Sequence, residues 1–183
     1  MQLFRRLCEE REFRKRLEDS RARLYRMAYA WTHRADLADD LTQETLAKAL
    51  NKRETIRELQ ALDAWLFRVL TNCWRDYCRR DRDMVDLDEE RWVHHDTPEV
   101  LHARGEIVHN VRNAVANLPV GQRQVLTLVD LEGFSYTEVA EILEIPPGTV
   151  MSRLSRARNT LKTLLLAGKP AHRQASAPLR VVK

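Results

Sequence analysis

The sequence predicts an all-α protein of two small helical domains joined by a flexible acidic linker, with a helix-turn-helix in the C-terminal domain. Three observations predict it. Glycine is scarce, 5 residues in 183, while 44% of side chains are hydrophobic and 32% charged, a composition that suits helices better than an all-β fold. Apolar residues recur at steps of three and four through most of the chain. The charge is unevenly distributed. From Asp81 to Glu106 nine acids meet three arginines, a net of −6, so the remainder carries +10 against +4 overall. A basic protein interrupted by one acidic segment suggests two separate anion-binding bodies and a connector.

Taken in order, residues 1–20 read as a helical lead-in and residues 21–80 as the first domain. Leu24, Tyr25, Met27, Ala28 and Trp31 form one apolar stripe up to His33. Asp36 is the expected N-cap of the next helix, whose inward side is Leu37, Leu41, Leu46, Ala49 and Leu50. Asp39, Asp40, Gln43 and Glu44 share its other face as a compact acidic patch. Alone, such a patch is solvated surface. Residues 51–60 are polar and poorly periodic, hence a loop. A helix from Leu62 to about Arg80 follows, with Asp63 as its expected N-cap and Ala64, Trp65, Val69, Leu70 and Cys73 on its buried side. Trp65, Phe67, Arg68, Asn72, Trp74, Arg75, Tyr77, Arg79 and Arg80 interleave rings with cations along it. That mixture suits single-stranded nucleic acid, where bases stack on rings and phosphates follow cations, and equally suits ordinary core.

Residues 81–106 lack sustained periodicity and form the linker. Residues 107–167 are the second domain, in which Val108, Val111, Val115 and Leu118 make a helix face ending at Pro119, and Gln122–Leu131 makes a second helix ended by Gly133. Val139, Ala140, Ile142 and Leu143 then give a short helix one apolar face. Ile145-Pro146-Pro147-Gly148 breaks the pattern, and Thr149 is the expected N-cap of the last helix. There Val150, Leu154, Ala157, Leu161 and Leu164 form a buried stripe. Ser152, Ser155, Arg156 and Asn159 point away from it, with Met151, Arg153 and Arg158 on its flanks. The shorter helix carries Glu138, Glu141 and Glu144, whereas the longer one is basic, as phosphate attraction and guanine-edge readout require. Residues 168–183, with four Lys or Arg and no acid, are expected to be a disordered basic tail.

Several classes are disfavoured. No apolar run approaches membrane-spanning length and no secretory leader is recognisable, so a cytoplasmic protein without direct membrane insertion is expected. Cys8, Cys73 and Cys78 are an odd number without a CxxC pair, so neither disulfides nor a metal site is expected. No nucleotide-binding or hydrolase motif occurs, so no catalytic residues, small-molecule substrate or cofactor are assigned.

The succession DLADDLTQETLAKAL, AWLFRVLTNCWRDYCRR and LPVGQRQVLTLVDLEGFSYTEVAEILEIPPGTVMSRLSRAR resembles the extracytoplasmic-function (ECF) group of sigma-70 family sigma factors, over about Arg21 to Lys162. The resemblance implies an alternative sigma factor that binds core RNA polymerase, directs it to promoter DNA and has no catalysis of its own. It implies that Asp39, Asp40, Gln43 and Glu44 dock on the coiled coil of the polymerase largest subunit. It assigns the −10 element and its melted strand to Asn51, Lys52, Arg53 and Ile56 with Trp65, Phe67, Arg68, Asn72, Trp74, Arg75, Arg79 and Arg80. The −35 element falls to Thr149, Met151, Ser152, Arg153, Ser155, Arg156, Arg158 and Asn159, with Met151 standing where many relatives carry arginine. The acidic connector matches the segment threaded into the RNA-exit path, and an anti-sigma factor is an implied partner. The competing reading of the same residues is an autonomous helix-turn-helix regulator that binds a palindrome as a dimer.

Overall fold

A computed structural model describes residues 2–53, 61–84 and 103–167. Helices α1 (Gln2–Thr32), α2 (Ala35–Asn51) and α3 (Leu62–Met84) form a first unit. Helices α4 (Ala103–Ala116), α5 (Val120–Leu126), α6 (Tyr136–Leu143) and α7 (Pro147–Ala167) form a second, with a π-helical turn at Thr127–Leu131 between α5 and α6. Most of the linker, all of the tail and Ile56 lie outside the described residues.

The expected break between lead-in and first domain is absent, because one apolar stripe runs through both. Phe13, Leu17, Leu24, Met27, Ala28 and Trp31 are all buried at helical spacing. Ser20 sits on the same line, its hydroxyl bonded to the Arg16 carbonyl at 2.8 Å. No glycine or proline interrupts the segment, so nothing stops the helix before Thr32. His33 turns the corner in a left-handed conformation (φ 53°).

Neither aspartate expected as an N-cap is one. Helix α2 starts two residues earlier, with Arg34 at the cap and Asp36 in the first turn, paired with that arginine at 2.6 Å. Asp63 likewise lies in the first turn of α3, where a carboxylate favours the helix N-terminus without capping it. On α2 the inward positions are Leu37, Ala38, Leu41, Thr42, Thr45 and Ala49, with Leu46 half-buried. Leu50 is 51% exposed, a correction to the expected inward set. On α3 the buried side is rotated from expectation: Leu62, Leu66, Phe67, Leu70, Cys73 and Trp74 are interior, while Ala64, Trp65 and Val69 are half-buried. On α4, Val108 and Val111 are exposed, and Ala114 and Ala116 take the interior.

The two units are packed together and share an apolar core, unlike the separate bodies that the charge pattern suggested. Trp31 of α1 is 1% exposed and donates its indole N–H to Thr127 Oγ1 at 2.9 Å. That hydroxyl sits in the π-helical turn, a geometry that recurs where a helix must present one side chain off its regular register. Arg123 bridges the units from α5. Its guanidinium donates to the carbonyls of Trp31, at 2.7 Å, and of Ala116 and Leu118. These are carbonyls at or just past helix C-termini, which lack intrahelical donors and carry partial negative charge. Burial pushes the guanidinium's pKa down, with no carboxylate among the described residues to offset it. Arg23 completes the seam, paired with Asp63 at 2.6 Å and with Glu132 at 2.8 Å.

Candidate nucleic-acid interface

Helix α6 begins with a capping box: Ser135 Oγ accepts from the Glu138 amide, and the Glu138 carboxylate accepts from the Ser135 amide at 2.8 Å. Two otherwise orphaned donors are satisfied reciprocally, worth about 1 kcal/mol for such caps. The hydrogen bond from Ser135 also holds the Glu138 carboxyl below the usual carboxylate range. The corner of the helix-turn-helix is made by Glu144, in a left-handed conformation (φ 54°) normally left to glycine or asparagine. Gly148 is not the turning residue; it lies inside α7, which starts at Pro147. Proline fits the first helical position because its missing N–H would be unpaired there anyway. Thr149 is therefore in the first turn of α7 and not its cap, and its amide bonds the Pro146 carbonyl at 2.9 Å.

Val150, Leu154 and Ala157 are buried and hold α7 against the domain. Met151, Ser152, Ser155, Arg156 and Asn159 are exposed on its outer side, Met151 at 52%. Arg156 has no acid partner among the described residues. The flanking arginines are more constrained. Arg158 grips Asp130 at 2.6 Å, and half-buried Arg153 lies over Gly121, where an added Cβ would come within 3.0 Å of its guanidinium. The outer strip of α7 therefore offers hydroxyls, an amide and one uncommitted guanidinium, the groups that read base edges and phosphates in a major groove.

Helix α3 gives a mixed result. Phe67 and Trp74 are each 2% exposed, so neither presents a ring to a ligand here, a correction to their expected role. Phe67 meets Phe134 edge-on at 5.2 Å across the seam, with the Arg23 guanidinium 5.5 Å over its ring. Trp74 stacks on Tyr77 at 5.7 Å. Trp65 and Asn72 are half-buried, and Arg79 and Arg80 are exposed, both bonded to Asp76. Arg68 and Arg75 are exposed but committed to Glu144 of the second unit, at 2.7 and 3.1 Å. Those two arginines, Arg68 foremost, hold the Glu144 carboxyl below the usual range. At the end of α2, Asn51 and Lys52 are exposed, while Arg53 is paired with Glu10 of α1 at 2.8 Å.

The acidic patch of α2 does form one outer face. Asp40 and Gln43 are exposed, whereas Asp39 accepts from Gln43 at 2.6 Å and approaches Arg21 at 3.7 Å. Glu44 pairs with Lys48 at 2.8 Å. The Lys48 ammonium also lies 3.4 Å from the sulfur of buried Cys73, whose thiol burial pushes up. Among the described residues no group of three or more His, Cys, Asp or Glu is placed to hold a metal ion.

Sequence reasoning missed Arg23, Arg123, Glu132 and Glu144, all of which act across the seam. For Glu144 a signal existed, since an acid stands where a helix ends two residues before Pro146. Ser135-Tyr-Thr-Glu138 was an equally legible capping signature.

A unit with an outer acidic face and an arginine-rich helix, packed on a unit with a helix-turn-helix, defines a two-part DNA-binding protein of transcription. The sigma-70 region 2 model matches residues 17–83, and the sigma-70 region 4 model matches residues 109–161. The chain is 40% identical over 134 residues to the ECF RNA polymerase sigma factor EcfG of Rhodopseudomonas palustris, covering 72% of each chain. It is 35% identical over 135 residues to the ECF RNA polymerase sigma-E factor of Haemophilus influenzae, covering 67% of this chain and 71% of that one. Among solved structures it resembles the sigma factor RpoE in complex with the anti-sigma factor NepR from Bartonella quintana. The TM-score is 0.69 at 31% identity, over 86% of this chain and 99% of that one. The chain belongs to the ECF group of sigma-70 family RNA polymerase sigma factors.

Proposed function

We propose that this protein is an alternative sigma factor whose first unit docks core RNA polymerase through Asp39, Asp40, Gln43 and Glu44 and captures the melted −10 strand along α3. The second unit reads the −35 element with the outer strip of α7. The protein itself carries out no catalysis; polymerase supplies the chemistry. The observation that carries this reading is the exposed strip Met151, Ser152, Ser155, Arg156 and Asn159, on a helix held to the domain from its other side by buried Val150, Leu154 and Ala157. On α3 the contacts to bases fall to Trp65 and Asn72, with phosphates left to Arg68, Arg75, Arg79 and Arg80. No described helix is long and apolar enough to cross a membrane. The Bartonella relative held by an anti-sigma factor supports a partner of that kind here.

Arg156→Ala tests the reading. Arg156 contributes nothing to the core, so the fold is unchanged, and transcription from promoters that require a −35 element falls by about 1–3 kcal/mol if the guanidinium reads a base edge. In vitro transcription on promoters with intact and scrambled −35 elements measures this. Equal activity of variant and wild type on the intact promoter removes Arg156 from the interface.

A further inference from the structure

The two arginines of α3 that the proposed function gives to strand phosphates are already occupied by an anion from the chain itself. Arg68 places Nη2 at 2.7 Å and Nε at 3.2 Å from Oε1 of Glu144, and Arg75 places Nη1 at 3.1 Å from Oε2. Arg75 also donates to the Leu143 carbonyl and to Asn72 Oδ1, so its fork is fixed on the end of α6. Both carboxylate oxygens are thus held between two guanidiniums, as two phosphate oxygens would be. The residue that supplies them is the left-handed corner of the helix-turn-helix. A non-glycine residue there is strained, and such strain persists where the surroundings hold it in place. The same closure buries Phe67 against Phe134.

We propose that Glu144 is an internal lock: in the free protein it occupies the Arg68–Arg75 anion site, so that one domain's DNA reader closes the other domain's strand-binding helix. This rests on the assignment of Arg68 and Arg75 to strand binding. The apparent affinity for a single strand is then the intrinsic affinity reduced by the small fraction of open molecules. A DNA strand competes directly with Glu144 for the two guanidiniums as it binds. Free protein is thereby restrained from capturing single strands away from polymerase. The ion pairs are exposed, so the lock is a light one.

The test is fluorescence anisotropy of a labelled 20-nucleotide mixed-sequence single strand titrated with the full chain at low salt. Glu144→Gln is expected to bind roughly 3- to 10-fold more tightly than wild type. Glu141→Gln, the same charge change one turn earlier at an exposed position, is expected to leave the affinity within about 1.5-fold, as exposed charges are largely screened. Glu144→Gly removes the lock and the left-handed strain together, so it should match Glu144→Gln while keeping the fold. In the Glu144→Gln background, Arg68→Ala with Arg75→Ala should abolish the gain. Equal affinities for Glu144→Gln, Glu141→Gln and wild type overturn the lock, as do equal gains in both glutamine variants, which indicate bulk charge. If the lock fails and Arg68→Ala/Arg75→Ala in the wild-type background still weakens strand binding, the strand-binding assignment survives. If that double variant binds as wild type does, the assignment falls with the lock.

Discussion

Reversing Asp40 and Glu44 to lysine is expected to abolish binding to core RNA polymerase while leaving a folded, helical protein. Asp40 is exposed. Glu44 pairs with Lys48 at 2.8 Å, so its reversal loses that partly exposed pair and sets two ammonium groups one turn apart. Each of those effects is worth about 0.3–0.5 kcal/mol, so thermal or urea unfolding should show a loss no greater than about 1 kcal/mol. In a complex the two lysines would face a basic coiled coil with water excluded, where like-charge contacts cost several kcal/mol. Gel filtration with core polymerase should show no co-elution, and transcription should fail equally at every promoter. Arg156→Ala differs, because its defect follows the −35 element. Normal co-elution of the double variant removes the acidic face from the docking surface.

Trp31→Ala is expected to produce the largest loss of stability of any single change discussed, about 3–5 kcal/mol by loss of a buried indole from a packed core. Globular domains have only about 5–15 kcal/mol to lose. Trp31 is 1% exposed and sits where α1 meets the π-helical turn, so its removal empties the centre of the seam and leaves Thr127 Oγ1 without that donor. Trp31→Phe separates the two contributions. It keeps most of the volume and removes only the N–H, for an expected loss of about 1–2 kcal/mol. Urea denaturation of both variants checks the order. A loss under 1 kcal/mol for Trp31→Ala contradicts a shared core built around this ring.

The helices and the helix-turn-helix were legible because they depend on local signals. Of the predicted stripe, Val150, Leu154 and Ala157 are buried while Leu161 and Leu164 are only half-buried, and Ser152, Ser155 and Arg156 are outward. The N-caps were misplaced by two or three residues, since Asp36, Asp63 and Thr149 favour a first turn as well as a cap. The relation between the two units was illegible for a different reason. Trp31 meets Thr127 across 96 residues, and Arg68 meets Glu144 across 76. Hydropathy does not distinguish a ring kept for bases from a ring kept for a partner helix. Phe67 and Trp74 therefore read as candidates for nucleic acid and turned out to be core. Arg123 has no sequence signature either, because its partners are backbone carbonyls of any residue type.

The most direct test of the assignment is to mix the purified chain with core RNA polymerase and a library of genomic DNA fragments. A sigma factor forms a stoichiometric complex that survives gel filtration and yields discrete promoter-directed transcripts that core polymerase alone does not make. The contrary result is a chain that never co-elutes with core polymerase, adds no transcript, and shifts duplex DNA by itself as a dimer. That outcome would make it an autonomous helix-turn-helix regulator.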